Sequence, residues 1–214
     1  LFKYPESDSN SLREVLSKKF DIDFKRIICG SGSDQIFDLT CRLFLNPGDE
    51  VIVTEFGFIM YKIYASLSKA RVVLAKEKNF KASVEEIIKK VSDKTKIVFI
   101  ANPNNPTGTY LSKNEMLDLR KKLRSDILLV VDDAYFEFIG SDNFSSGLDL
   151  FEDSANVLVT RTFSKIYGLA GLRLGWGYSS KEIIDSMYQI KPPFNVNRAV
   201  LAAGLAAVQD GEWT

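Results

Sequence analysis

The stretch from residue 162 to residue 175, TFSKIYGLAGLRLG, combines residue types that could do chemistry together. Lys165 stands among hydroxyls, small residues and apolar side chains, and Arg173 follows eight residues later. Desolvation lowers the pKa of an ammonium group, and the resulting free amine can form a Schiff base. The hydroxyls of Thr162 and Ser164 and the guanidinium of Arg173 are donors suited to a phosphate. This combination suggests pyridoxal phosphate, with a surface lysine in a glycine-rich loop as the alternative.

The composition excludes several classes of site. The chain has 214 residues and no histidine, which removes a Ser-His-Asp triad, a histidine-ligated metal and a histidine general base. Any proton transfer must therefore use lysine, aspartate, glutamate, tyrosine or cysteine. Basic and acidic residues both number 28, and this balance gives no sign of nucleic acid or an anionic membrane as a partner. Cys29 and Cys41 lack metal-site spacing, so we expect buried thiols in a reduced, cytoplasmic chain.

The framework that must position these side chains is predicted to be an α/β fold. Short β-rich runs alternate with helical patterns, which is typical of a mostly parallel sheet covered on both faces. The predicted strands are residues 26–29, 50–54, 71–75, 96–100, 127–131, 157–160 and 174–178. The predicted helices are residues 9–20, 34–45, 58–68, 83–91, 112–124, 181–189 and 198–209, with capping boxes at Ser83 and Ser112. We expect one domain over residues 1–214, a three-layer sandwich around a seven-stranded sheet, with its ligand at the carboxyl ends of the strands.

Two polar loops follow predicted strands at that edge. Residues 30–35, GSGSDQ, precede a helix, where free N–H groups form a site for an anion; a simple capped turn is the alternative. This run lacks the third glycine of the dinucleotide fingerprint. Residues 101–108, ANPNNPTG, contain two prolines that fix the loop and leave asparagine amides to face a ligand, unless the loop is only a structural turn.

An acidic pair and an aromatic pair follow two other strands. Asp132 and Asp133 end the strand at 127–131, and alternation sends their carboxylates to opposite sides. Because Asp132 comes first after the apolar run, we expect Asp132 and not Asp133 to face a cofactor cation, although such acids can also be simple caps. Phe58 and Tyr61 could stack on a flat ring or pack in the core.

Taken in this order, the motifs resemble those of the fold-type-I pyridoxal-phosphate aminotransferases. The resemblance rests on YPE at 4–6, GSD at 32–34, Phe58 with MY at 60–61, NPNNPTG at 102–108, DDAY at 132–135, RTFSK at 161–165 and GLAGLR at 168–173. It covers nearly the whole chain and is greatest for the members that act on histidinol phosphate. From the resemblance we expect this chain to lack the N-terminal arm of that family and its C-terminal small domain, which carries an arginine for the substrate carboxylate. Residues from about 190 to 214 would lead toward that domain.

The resemblance implies three catalytic roles around pyridoxal 5′-phosphate. Lys165 would form the Schiff base and shuttle a proton to and from the substrate. Asp132 would pair with the protonated pyridine nitrogen and keep the ring an electron sink. Tyr135 would hydrogen-bond the 3′-oxygen of the cofactor.

The same resemblance implies a wider set of residues that bind the cofactor. Backbone groups in the segment 32–34 would hold the phosphate together with side chains from the Lys165 motif and Arg173. Phe58 would stack on the ring, and Asn105 would share the 3′-oxygen. The binding residues implied beyond the catalytic three are Gly32, Ser33, Asp34, Phe58, Asn105, Thr162, Ser164, Arg173 and Tyr4.

The activity that follows from the resemblance is reversible amino exchange between L-histidinol phosphate and 2-oxoglutarate, in histidine biosynthesis. Alternatives are an aromatic aminotransferase, threonine-phosphate decarboxylase, or a non-catalytic phosphate-binding domain. The expected assembly is a homodimer in which Tyr4 reaches the site of the neighbouring subunit, with small-molecule substrates and neither nucleic acid nor membrane as partner. The Asn105–Pro106 peptide bond is expected to be cis.

Overall fold

A seven-stranded sheet forms the centre of the computed structural model, which describes residues 2–214. Its strands are β1 (Ile27–Gly30), β2 (Glu50–Thr54), β3 (Arg71–Ala75), β4 (Thr95–Ala101), β5 (Leu128–Asp132), β6 (Val157–Thr162) and β7 (Gly175–Tyr178). Their order across the sheet is β1-β7-β6-β5-β4-β2-β3. The pairs from β6 to β3 are all parallel, whereas β7 is antiparallel to both neighbours. The carboxyl ends of six strands therefore meet at one edge.

Helices cover both faces of this sheet, which confirms the three-layer arrangement. They are α1 (Asn10–Phe20), α2 (Gly32–Phe44), α3 (Ile59–Leu67), α4 (Val84–Ile88), α5 (Lys113–Lys122), α6 (Gly147–Phe151), α7 (Lys181–Ile190) and α8 (Arg198–Gln209). One core cluster contains side chains of α1, α4, α5, α6 and α8, and the other contains side chains of α2, α3 and α7. Along β5, Leu129 and Val131 join the first cluster while Leu128 and Val130 join the second.

The predicted strands agree with the observed ones to within two residues at every end, and β2 and β3 agree at both ends. The helix α6 was missed because it is only five residues long and carries little periodic signal. The helix α4 is shorter than predicted, since Lys90 and Val91 bond to carbonyls only three residues back and end it early.

The structure confirms the predicted capping box at α5, whereas only one of its two hydrogen bonds forms at α4 among residues 2–214. At α5, Ser112 Oγ accepts from the Glu115 backbone and the Glu115 carboxylate accepts from the Ser112 N–H at 2.7 Å. At α4, Ser83 Oγ accepts from the Glu86 backbone. The Glu86 carboxylate lies 2.9 Å from Lys89 Nζ, and no return bond completes the box within the described chain.

Both cysteines have buried, free thiols, as the composition suggested. Burial raises the pKa of Cys29 and of Cys41 to about 12, which keeps both thiols protonated and unreactive. Among residues 2–214, no helix combines the length and the apolar character needed to cross a membrane.

Candidate active site

A cavity of about 190 Å³ opens at the edge where the carboxyl ends of β4, β5 and β6 meet. Its lining residues are Ser33, Asp34, Phe58, Ala101, Pro103, Asn105, Asp132, Ala134, Tyr135, Thr162, Ser164, Lys165 and Arg173. The fold thus brings together all the residues assigned to the site from the sequence, with the exceptions of Gly32 and Tyr4.

Asp132 ends β5, lines the cavity and is only 5% exposed. Tyr61 Oη donates to Asp132 Oδ2 at 2.7 Å, and Thr160 Oγ1 donates to Asp132 Oδ1 at 3.1 Å. Burial raises the pKa of Asp132 to about 6, while these two hydrogen bonds act to lower it. A cation in the cavity would further favour the charged form of this carboxyl.

Asp133 faces the opposite side of β5, as the alternation predicted. Its Oδ2 accepts from Ser146 Oγ at 2.6 Å and from the Gly147 N–H at 2.8 Å, and it lies 3.9 Å from Arg161 Nη2. Burial raises the pKa of Asp133 to about 7 and outweighs the attraction of Arg161. Asp133 therefore ties the start of α6 to the sheet and does not line the cavity.

The cavity is also rich in hydrogen-bond donors. Arg173 Nη2 lies 2.7 Å from Asp34 Oδ2, and Arg173 Nη1 lies 3.1 Å from Ser164 Oγ. Ser33 and Asp34 are in the first turn of α2, where backbone N–H groups have no partner within the helix. A guanidinium, hydroxyls and a helix start together make a site suited to a phosphate. Arg173 has a φ of 55°, a left-handed conformation that is strained for a residue with a Cβ and is characteristic of functional sites.

Two glycines permit this close approach. A Cβ on Gly175 would lie 2.3 Å from the backbone nitrogen of Ser33, so β7 can pack against the first turn of α2 only without a side chain. Gly32 has a φ of +75°, and a Cβ there would lie 2.7 Å from Arg173 Nη2. Gly32 thus does not line the cavity, but its missing side chain leaves room for the arginine.

Lys165 lines the cavity, and its Nζ lies 5.0 Å from the ring centroid of Tyr135. Asn105 Nδ2 donates to Tyr135 Oη at 3.4 Å, which links two of the predicted residues. The expectation that neighbouring side chains desolvate the lysine is wrong for this chain, since Lys165 is exposed. Phe163 and Tyr167 occupy the core on either side of it, which leaves Lys165 facing the open cavity.

The two aromatic residues after β2 have different roles. Phe58 lines the cavity and packs edge-on against Tyr61, with ring centroids 5.6 Å apart. Tyr61 is 1% exposed and stacks on Phe99 with centroids 4.8 Å apart and an interplanar angle of 7°. Phe58 is therefore available to a flat ligand, whereas Tyr61 is a core residue whose hydroxyl reaches Asp132.

The asparagine-rich loop is mainly structural. Asn102 Nδ2 donates to the Leu111 carbonyl and Asn102 Oδ1 accepts from the Leu111 N–H, while Asn104 Nδ2 donates to Thr107 Oγ1. Only the third asparagine of the loop, Asn105, lines the cavity. The Asn105–Pro106 bond is cis, as predicted, and the Asn102–Pro103 bond is cis as well.

Tyr4 lies outside the cavity of its own chain. Its ring is 78% exposed and stacks on Phe194 with centroids 4.7 Å apart. The contact of Tyr4 with a neighbouring subunit stays a prediction.

With this geometry in place, comparison with known proteins identifies the family. The sequence profile described as "Aminotransferase class I and II" matches residues 1–213. The chain belongs to the class I and II aminotransferases. The histidinol-phosphate aminotransferase of Pelagibacter ubique is 59% identical over 208 residues, which are 97% of this aminotransferase chain and 58% of that relative. The chain therefore spans less than two thirds of the length of the relative it matches.

Solved structures agree with this assignment. Histidinol-phosphate aminotransferase from Sinorhizobium meliloti, in complex with pyridoxal-5′-phosphate, superposes with a TM-score of 0.94 at 27% identity. The match covers 99% of this aminotransferase chain and 58% of that one. L-threonine-O-3-phosphate decarboxylase from Porphyromonas gingivalis superposes with a TM-score of 0.84 at 23% identity, over 99% of this chain and 62% of that one, and shares the fold.

Two residues of this aminotransferase site were missed by the sequence reasoning. Thr160 is paired in register with Asp132. Thr160 also lies two residues before Thr162 in β6, so strand alternation could have placed the side chain of Thr160 on the same side of the sheet as that of Thr162. Tyr61 was considered only for its aromatic face. The donation from its hydroxyl to a carboxylate on another element has no local sequence signal.

Proposed function

We propose that this aminotransferase-family chain serves the exchange of an amino group between L-histidinol phosphate and 2-oxoglutarate in histidine biosynthesis, with pyridoxal 5′-phosphate as its cofactor. The observation that carries the proposal is the 59% identity to the P. ubique histidinol-phosphate aminotransferase across 97% of the chain. The decarboxylase from P. gingivalis, at 23% identity, gives the alternative activity no comparable support because it shares the fold alone.

The donor set of the cavity fits pyridoxal phosphate. Asp132, a buried carboxylate held by two hydroxyl donors, suits a protonated ring nitrogen. Arg173 and Ser164 suit a phosphate group, and Phe58, which lines the same cavity, offers a face for the ring. When bound, this cofactor supplies an electron sink for the α-carbon of an amino substrate.

The remaining roles fall to residues of this chain that line the same cavity. Lys165 Nζ would hold the cofactor covalently and, as a free amine once the substrate amine has taken its place, would accept the proton from the α-carbon of the substrate. The linked pair of Tyr135 and Asn105 orients the 3′-oxygen through the tyrosine hydroxyl. The backbone of Ser33 and Asp34 binds the phosphate at the start of α2, together with Thr162, whose Oγ1 accepts from the Ser164 N–H and fixes that turn.

The assembly we propose is a homodimer in the cytoplasm. Ile59, Ile63 and Leu67 lie at four-residue spacing on α3 and are 56%, 42% and 70% exposed, so they form an apolar stripe suited to a second copy. Tyr4, which is 78% exposed and stacks on Phe194 by one face, is proposed to reach a site on the partner subunit. The buried thiols of Cys29 and Cys41 suit a reducing compartment.

The proposal is tested by spectroscopy of the chain loaded with pyridoxal phosphate. L-Histidinol phosphate should abolish the visible absorption band of the bound cofactor, and 2-oxoglutarate should then restore it. An aromatic amino acid or L-threonine phosphate added instead should leave most of the band in place. A band that responds to one of these compounds and not to histidinol phosphate would contradict the proposed substrate.

A further inference from the structure

Tyr61 is a buried residue whose closely packed side chain makes one hydrogen bond within residues 2–214. Its ring stacks on Phe99 and is met edge-on by Phe37 and Phe58, with centroids 5.1 Å and 5.6 Å away. Its hydroxyl donates to Asp132 Oδ2 at 2.7 Å. Because neighbouring rings fix the tyrosine on three sides, the position of this donor is fixed before any ligand arrives.

The carboxylate of Asp132 is held at both of its oxygens. Thr160 Oγ1 binds Oδ1 while Tyr61 Oη binds Oδ2, and the residue is 5% exposed. Hydrogen bonds to the charged form of a carboxyl favour ionisation, whereas burial opposes it. Burial also raises the pKa of Tyr61 well above its usual range, so its hydroxyl stays protonated and remains a donor.

We propose that Tyr61 is a positioning residue whose hydroxyl keeps Asp132 ionised and aims its carboxylate at the cationic ring of the ligand. The proposal rests on the proposed function for the identity of that ligand, a pyridinium. Without the hydroxyl, one oxygen of a buried carboxylate loses its side-chain donor, so the carboxyl binds its proton more tightly and is oriented less firmly.

The other charged groups around Asp132 act in both directions. Asp34 of α2 lines the same cavity, and its negative charge favours the protonated form of Asp132. Asp133 adds a second acid on the far side of β5. Lys165 and Arg173, on the connection between β6 and β7, line the cavity as positive groups. Tyr61 and Thr160 are the two side-chain hydroxyls bonded to Asp132 in the described chain, and Tyr61 makes the shorter bond.

The test compares carboxyl titrations in the cofactor-free chain. The protein is labelled with carboxyl-¹³C aspartate, and Asp132 is assigned from the resonance lost in Asp132→Asn. In the unmodified chain the pKa of Asp132 is expected at about 6. Tyr61→Phe keeps the stacked ring, removes the hydroxyl and should raise this pKa by about one to two units.

Tyr64→Phe is the matched control, because Tyr64 lies on the same helix with a half-buried ring and no bond to Asp132. It should leave the titration of Asp132 unchanged. In a second readout, the loss of pyridoxal phosphate affinity in Tyr61→Phe should grow as the pH falls from 9 to about 6. Over this range Asp132 becomes protonated in the variant to a greater extent than in the unmodified chain. A merely structural role would weaken binding equally at each pH.

An unchanged Asp132 titration in folded Tyr61→Phe would overturn the proposal, as would an affinity loss that does not vary with pH. If Tyr61→Phe does not fold, the unmodified chain labelled with ζ-¹³C tyrosine replaces it. One tyrosine resonance must then shift with the midpoint of Asp132, and the absence of such a shift overturns the proposal equally. Failure of pyridoxal phosphate to bind the unmodified chain would contradict the proposed function and not the coupling measured without cofactor.

Discussion

Asp132 and Asp133 are identical side chains one position apart, and the structure puts them in unlike surroundings. Strand alternation was enough to predict that they face opposite sides of β5. The hydroxyl of Tyr61 and the guanidinium of Arg161, which distinguish the two carboxyls, come from distant parts of the chain. A sequence therefore predicts the direction of such a residue well and its electrostatic environment poorly.

These two acids should make the stability of the cofactor-free chain depend on pH. Burial raises the folded-state pKa of Asp132 to about 6 and that of Asp133 to about 7, above the ordinary value of 3.8. The unfolded chain therefore releases protons first, and the free energy of unfolding should decrease as the pH rises from about 4 to about 7. Asp132→Asn, which does not titrate, should reduce this slope in urea unfolding measured between pH 4.5 and 7.5.

Asp142→Asn is the control for that measurement, because Asp142 is exposed and makes no salt bridge in the described chain. It should keep the slope of the unmodified protein. An Asp132→Asn protein whose stability varies with pH as steeply as the control would contradict the assigned environment of Asp132.

Arg173 is expected to contribute directly to phosphate affinity. Arg173→Gln removes a guanidinium that contacts Asp34 and Ser164 in the cavity. Because the side chain is about half exposed, we expect the dissociation constant for pyridoxal phosphate to rise only about ten-fold. Absorbance titration measures this constant. Arg42→Gln removes a similar arginine–aspartate contact from the exposed face of α2 and should leave the affinity unchanged. If the two variants bind pyridoxal phosphate with equal affinity, Arg173 does not contribute to phosphate binding.

At the scale of elements, the sheet was more predictable than its connections. Short β-rich runs between turn residues predicted all seven strands. The runs of β2, β5 and β6 are the clearest, because these strands are buried along their whole length. The exposure of Lys165 was not predicted, since it depends on Phe163 and Tyr167 entering the core on either side of it. The helix α6, tied to Asp133 through Ser146, depends on a tertiary contact rather than a periodic pattern.

The packing of β7 against the first turn of α2 gives a prediction at this scale. Gly175→Ala would place a Cβ 2.3 Å from the Ser33 backbone, so the strand or the turn must shift. Overpacking of this kind costs about 1–3 kcal/mol, and displacement of the turn should also weaken phosphate binding. Urea unfolding and a pyridoxal phosphate titration measure the two effects. Gly140→Ala, with open space around its Cβ, should change neither, and a Gly175→Ala protein that matches it would contradict this account.

At the scale of the whole molecule, the class of fold followed from the alternation of strands and helices, but the strand order did not. The pairing of β1 with β7 joins segments about 150 residues apart, as in Ile27 opposite Tyr178, and no local pattern encodes such a pairing. The resemblance of the motifs to a known family supplied what periodicity could not. The α/β pattern placed a ligand at the strand ends, and the resemblance assigned roles to individual residues there.

The assembly is also predicted at this scale. Light scattering should give the mass of a dimer, and Ile63→Lys, at the centre of the exposed stripe on α3, should shift the mass toward a monomer. Tyr4→Phe should keep the dimer and weaken binding of pyridoxal phosphate. A monomer that binds the cofactor normally and does not respond to the Tyr4 change would refute the shared site.

The cavity is proposed to hold pyridoxal phosphate through Lys165. Borohydride reduction of the chain with pyridoxal phosphate, followed by peptide mapping, tests it most directly. The account predicts a single modified peptide carrying the cofactor on Lys165, lost in Lys165→Ala and kept in Lys113→Ala, a change at an exposed lysine outside the cavity. A cofactor trapped on another lysine, or none trapped at all, would contradict it.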